Sequence, residues 1–234
     1  MNRPTGPRRR YDSLDAWRSL AVVLMLAYHF LFDLYIFGVI TREQLFCTPL
    51  NIMQKFICCS FILLAGVSAR FTRSNLRHGL TVLAAGVVVE IGAAVGGQTI
   101  RFGVLMFLGT AMLLYHVTGR SIERLPALPL TAVLALLFWG TSVWTNRVRV
   151  TVPCLYPLGL MTTNFYSADY FPIMPWLFLF LAGTVLGGVC RRYPAHPLLT
   201  VRLPKALTWL GRHSLLIYIL HQPVLFGITY LIWG

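Results

Sequence analysis

The chain is a succession of long apolar runs separated by short polar segments. Each run lasts about 17–25 residues, the length an α-helix needs to cross the hydrocarbon core of a bilayer. Seven such runs are expected to form transmembrane helices, at 14–37, 52–69, 79–95, 102–117, 127–145, 171–189 and 207–233. The fourth is short and rich in Gly and Met. Two connecting segments are longer than a turn, 38–51 and 146–170, and both fall on the same side of this arrangement. No internal repeat or low-complexity tract interrupts it. The expected fold is all-α: a polytopic membrane helix bundle forming a single domain over 1–234, with 1–13 as a basic cytoplasmic N-terminal segment.

Composition strengthens this reading. Of 234 residues, 57% are hydrophobic and 12% charged, where soluble domains carry about a quarter charged. A soluble fold would have to expose much of that apolar surface, whereas a bilayer accommodates it. The formal net charge of +13 does not point to nucleic acid, because the basic residues cluster between apolar runs. They set orientation instead. With the N-terminus in the cytoplasm, Arg3, Arg8, Arg9, Arg10, Arg18, Arg70, Arg73, Arg77, Arg120, Arg124, Arg191, Arg192, Arg202, Lys205 and Arg212 lie inside. Only Arg42, Lys55, Arg101, Arg147 and Arg149 lie outside. That division, 15 against 5 of the 20 Lys and Arg, predicts N-in and C-out topology. The apolar run after the N-terminal arginines is too long for a signal peptide and lacks a small-residue cleavage site, so it is expected to remain as an anchor helix. The chain is expected in a cell membrane, the bacterial inner membrane above all.

The five cysteines make no metal pattern, and no metal is expected. Cys58 and Cys59 sit within an apolar run as small hydrophobes. Cys47 and Cys154 fall in the two outer loops, where an oxidising compartment would allow a disulfide.

The first apolar run carries the densest chemistry. It holds Asp15, Arg18, His29 and Asp33. An offset of eleven residues leaves Arg18 and His29 about 20° apart around a helix axis and about 16 Å apart along it. His29 and Asp33 are four apart and share a face; Asp15 and Arg18 are three apart and can pair. Arg18 and Asp15 read equally as a snorkelling anchor and a helix cap. His29 with Asp33 reads as a polar pair joining helices, but ionisable groups at that depth are costly and mark functional sites. An imidazole can take a proton near neutral pH and a carboxylate can orient it. An arginine at the inner end can hold phosphate.

Other polar residues are fewer. His221 and Gln222 precede Pro223 in the last run, where the proline frees the carbonyl of Ile219 and predicts a kink. Arg212 and His213 lie at the inner end of that run. Glu90 stands alone in the third run and is expected to pair with Arg101. His78 and His116 lie at inner helix ends and are expected to be solvated.

Four stretches together resemble a known family. They are Asp15-Ala-Trp-Arg18 with Met25 and His29-Phe-Leu-Phe-Asp33; Arg101-Phe-Gly-Val-Leu-Met-Phe-Leu-Gly109; Phe165-Tyr-Ser-Ala-Asp169-Tyr-Phe-Pro-Ile-Met-Pro-Trp176; and Leu210-Gly-Arg-His-Ser-Leu-Leu-Ile-Tyr-Ile-Leu-His221-Gln-Pro223. The chain resembles bacterial relatives of the heparan-alpha-glucosaminide N-acetyltransferase catalytic domain, within a wider group of multispanning acyltransferases. The resemblance implies that cytoplasmic acetyl-CoA, a co-substrate, donates an acetyl group to an amine or hydroxyl acceptor, a sugar or glycoconjugate, at the outer face. It implies functional roles for Arg18 and His29. Two positions depart from the family pattern: Ser19 stands where Gly is common, and Met106 where His or another polar residue is common.

The site expected on these grounds has His29 as general base, oriented by Asp33, with His221 beside it. Arg18, Asp15 and Arg212 would serve the acyl-CoA, and Arg101, Asp169, Tyr170 and Gln222 the acceptor. The expected partners are the lipid bilayer, acyl-CoA, the acceptor and, as an option, a second copy of the chain. Two other readings remain: a proton-coupled small-solute transporter using His29, Asp33, Glu90 and His221 as relays, and a catalytically silent membrane subunit. The first would call for inverted repeats, which the sequence lacks. The second draws on Met106.

Overall fold

A computed structural model describes residues 11–234, the side chain of Arg120 excepted; of the predicted basic segment 1–13, residues 1–10 lie outside them, and Asp12 and Ser13 begin α1. Ten α-helices follow in order: α1 (Asp12–Ile36), α2 (Arg42–Leu45), α3 (Thr48–Phe71), α4 (Asn75–Val95), α5 (Val104–Ile122), α6 (Ala127–Arg147), α7 (Ile173–Arg192), α8 (Pro197–Thr200), α9 (Lys205–Arg212) and α10 (Ser214–Trp233). A 3₁₀ helix, Pro153–Leu158, stands between α6 and α7. Among the described residues there is no β-strand, only an isolated bridge between Arg149 and Met161.

Six helices, α1, α3, α4, α6, α7 and α10, are long and apolar enough to cross a membrane. The expected fourth span is α5, whose apolar stretch, Val104–Gly119, is shorter. The expected last span, 207–233, divides. Its N-terminal part forms α9, the chain turns at His213 (φ −107°, ψ 16°), and α10 begins at Ser214. The break has a sequence cause. Lys205, Thr208 and Arg212 recur along one face of α9, so its polar side cannot continue a lipid-facing span. α10 itself runs on through Pro223 without interruption.

The helices form two compact units. One comprises residues 11–61 and 193–234, the other 62–192, with α3 contributing to both. In the first, Met25, Tyr28 and Ile57 form a buried apolar cluster with Leu24, Met53, Phe61 and Tyr218 against it. The indole N–H of Trp17 donates to Ser60 Oγ, tying α1 to α3 at 3.1 Å. Gly211 lets α9 sit directly on α1, since a Cβ there would collide with the carbonyl oxygen of Asp15.

In the second unit, glycines again set the spacing. Gly66 of α3 and Gly183 of α7 face the partner helix's backbone. Gly86 of α4 meets Met106 of α5, and Gly109 of α5 meets Leu83 of α4. Close backbone approach of this kind is how membrane helices gain packing energy without a hydrophobic driving force. Met106 therefore serves as a packing residue against Gly86.

Candidate functional site

The N-terminal end of α1 is an ion network. Asp15 Oδ1 accepts from Arg18 Nη1 at 3.0 Å, and Asp15 Oδ2 accepts from Arg212 Nε at 3.2 Å. Arg212 Nη2 in turn donates to Asp12 Oδ1 at 3.0 Å. Asp12 Oδ2 accepts the backbone N–H of Leu203 at 3.3 Å. The Asp15–Arg18 pair expected from their spacing is therefore present, and the fold adds Arg212 from α9 to the same carboxylate. Ser19 completes the junction. Its hydroxyl donates to the Asp15 carbonyl at 3.0 Å and accepts the Gly211 N–H at 2.7 Å. The departure from the family pattern at this position has a structural use, joining α1 to α9.

Farther along α1, His29 and Asp33 meet α10. The rings of His29 and His221 stand edge to face, with centroids 4.6 Å apart and planes at 68°. Asp33 is fully buried. Its Oδ1 accepts from Gln222 Nε2 at 2.7 Å. The expected His29–Asp33 pair does not form: Gln222 takes the carboxylate because α10 carries it to the buried face of α1, and Gln222 is also in electrostatic contact with His29. His221 Nδ1 lies 2.6 Å from the Tyr218 carbonyl. A carbonyl can only accept, so Nδ1 carries a proton, and in the neutral ring Nε2 keeps its lone pair. That Nε2, together with Asp33 Oδ2, is buried without a hydrogen-bond partner. Both are acceptors. Each unmet buried acceptor costs about 1–3 kcal/mol.

The remaining predicted residues belong to the second unit. Glu90 does not pair with Arg101. Its Oε1 accepts the Gly103 N–H at 3.1 Å, and Asp169 Oδ2 accepts the adjacent Val104 N–H at 3.0 Å. Two carboxylates thus occupy the N–H groups of the cap residue, Gly103, and of the first residue of α5, Val104, a role the cap glycine has no side chain to fill. Tyr170 Oη donates to the Tyr156 carbonyl at 2.6 Å, with its ring 4.7 Å from that of Phe165. Burial, reinforced by Tyr156 and opposed by Arg149, pushes the Tyr170 hydroxyl up to about 12, so it stays a donor throughout the physiological range. Arg101 is exposed, its guanidinium 5.9 Å from the Phe165 ring centroid, and among the described residues it forms no ion pair.

Three features escaped the sequence. Thr41 and Gln44 form a reciprocal capping box that starts α2 between α1 and α3; Thr-x-x-Gln was the available signal. Arg70, Tyr115 and Glu123 form a cluster, with Arg70 paired to Glu123 and Tyr115 Oη donating to Glu123 Oε1 at 2.9 Å; no spacing rule links residues that far apart. Cys47 and Cys154 are both free thiols, as are Cys58, Cys59 and Cys190. Among the described residues, no three or more of His, Cys, Asp and Glu gather as a metal group.

The fold and these sites define a multi-pass helical membrane protein with ionisable residues arrayed along its first helix. The family model described as "Heparan-alpha-glucosaminide N-acetyltransferase, catalytic" matches residues 10–223, and the chain belongs to this family. No curated protein and no solved structure matches it.

Proposed function

We propose that the chain transfers an acetyl group from cytoplasmic acetyl-CoA to an amine at the outer face of a cell membrane, with N-in and C-out topology. Family membership supports the reaction class. The observation that carries the reading is the cluster around His29. Asp33 Oδ2 and His221 Nε2 are buried acceptors that lack donors. A primary amine or ammonium brings two or three N–H groups to such a site, and a hydroxyl only one.

In this reading Arg18, held by Asp15, binds phosphate of the acyl-CoA, with Arg212 on the same carboxylate. The roughly 16 Å between Arg18 and His29 along α1 suits a long carrier arm. His29 accepts the proton as the amine nitrogen attacks the thioester carbonyl. The C–S bond then breaks, and the CoA thiolate leaves and takes up a proton. Asp33 acts on this centre through Gln222. Arg101, an exposed cation, serves an acidic or polar part of the acceptor, a sugar or glycoconjugate. Asp169 and Tyr170 hold the loop that presents it.

The test is a competition between amino sugars and sugar alcohols of the same skeleton, offered with acetyl-CoA to the purified protein. Acetylation of the amine alone is expected. Equal acetylation of both would remove the argument from the unmet acceptors.

A further inference from the structure

The division of the last apolar run leaves α9 with an unusual orientation. Its Thr208–Gly211 side is turned inward. Thr208 and Gly211 are buried, and Arg212 pairs with Asp12 and Asp15 of α1. Its apolar face is turned out. Leu207 and Trp209 are each 55% exposed, and Leu198 and Val201 just before the helix are exposed at 69% and 45%. At eight residues, α9 spans about 12 Å, far too little to cross a bilayer.

The charge beside this apolar face is of one sign. Arg202 and Lys205 are exposed and form no ion pair among the described residues. From Cys190 to the last residue the chain has no Asp or Glu. Exposed Trp and Leu next to unpaired cations is the composition of an element lying in a membrane–water interface, where the apolar face enters the acyl boundary and the cations meet headgroup phosphate.

We infer that the segment from Leu198 to Trp209 is a docking surface for anionic phospholipid: Arg202 and Lys205 take the headgroup phosphate while Leu207 and Trp209 seat against the acyl chains. The occupant is a membrane lipid and not a soluble phosphate, because half of the surface is apolar. The inference is independent of the acetyl-transfer reading.

The test uses the full chain in phosphatidylcholine vesicles containing brominated phosphatidylglycerol or, separately, brominated phosphatidylcholine. The Trp209 signal is the fluorescence difference between wild type and Trp209→Phe. It is expected to be quenched by brominated phosphatidylglycerol at a lower mole fraction than by brominated phosphatidylcholine. At about 1 kcal/mol per basic residue near an anionic surface, Arg202→Gln/Lys205→Gln should need roughly thirty-fold more phosphatidylglycerol. The charge-keeping variant Arg202→Lys/Lys205→Arg should match wild type, as should Arg147→Gln near the opposite end of a helix. Equal quenching by the two lipids, or an unchanged isotherm in the double Gln variant, would overturn the inference. So would reversal by glycerol phosphate in solution, which would make this a soluble-phosphate site.

Discussion

Gln222 of α10 donates its amide N–H to Asp33 Oδ1 of α1 across 2.7 Å. The bond satisfies one oxygen of a fully buried carboxylate and joins the first and last membrane-length helices at the level of His29. Removing its donor therefore exposes two consequences, one for stability and one for chemistry. Gln222→Leu should destabilise the fold by about 1–3 kcal/mol, the cost of leaving that oxygen unpaired, and should also lower turnover. Asp33→Asn should keep the fold, since the amide can still accept at that oxygen, while slowing acetyl transfer. Thermal unfolding and rate measurements on both variants check this. An Asp33→Asn protein as fast as wild type would remove Asp33 from the site.

Asp15 holds Arg18 on one oxygen and Arg212 on the other. Arg18→Ala should raise KM for acetyl-CoA more than it lowers kcat, because the guanidinium binds and does not react. Arg212→Ala should have a smaller effect on the same constant. If Arg18→Ala leaves KM for acetyl-CoA unchanged, the phosphates are bound elsewhere, and Arg70 is the next residue to test.

The α1–α9 junction predicts stability effects without direct chemistry. Ser19→Ala leaves the buried Gly211 N–H without its acceptor and should cost about 1–3 kcal/mol. Gly211→Ala forces a methyl against the Asp15 carbonyl and should cost a similar amount, about 1–3 kcal/mol, through overpacking. Denaturation midpoints report both. A neutral Gly211→Ala would mean that α9 does not sit on α1 as closely as described.

The start of α5 gives a fourth expectation. Asp169→Ala and Glu90→Ala each remove an acceptor from the first N–H groups of that helix and should each lower stability by about 1 kcal/mol. Asp169→Asn should recover much of the loss, since the amide oxygen still accepts. A change in acceptor KM with no change in stability would instead give Asp169 a direct role in binding.

Much of this architecture was legible in the sequence because a bilayer imposes one length and one hydropathy on every span. The pairing of Asp15 with Arg18 was legible because residues three apart on a helix meet. The partner of Asp33 was not. Helical spacing offers His29, and only the packing of α10 shows that Gln222 reaches the carboxylate first. Glu90 and Arg101 were opposite charges at compatible depths, but the uncapped start of α5 at Gly103 competes for Glu90 and wins. The break at His213 was hidden because Leu207, Trp209 and Leu210 run on into the apolar residues that follow Ser214. Thr208 and Arg212, four apart, were the available signs that this turn of helix has a polar side of its own.

Acetyl transfer by the reconstituted protein tests the central claim most directly. Radiolabelled acetyl-CoA is offered with an amino sugar to vesicles containing wild type or His29→Ala, and label on the sugar nitrogen is counted alongside acetyl-CoA binding. A general base contributes about 10²–10⁴-fold, so His29→Ala should bind acetyl-CoA as wild type does and transfer label slower by about that factor. Folded wild-type protein that transfers no label, or a His29→Ala protein that transfers it undiminished, would contradict the account.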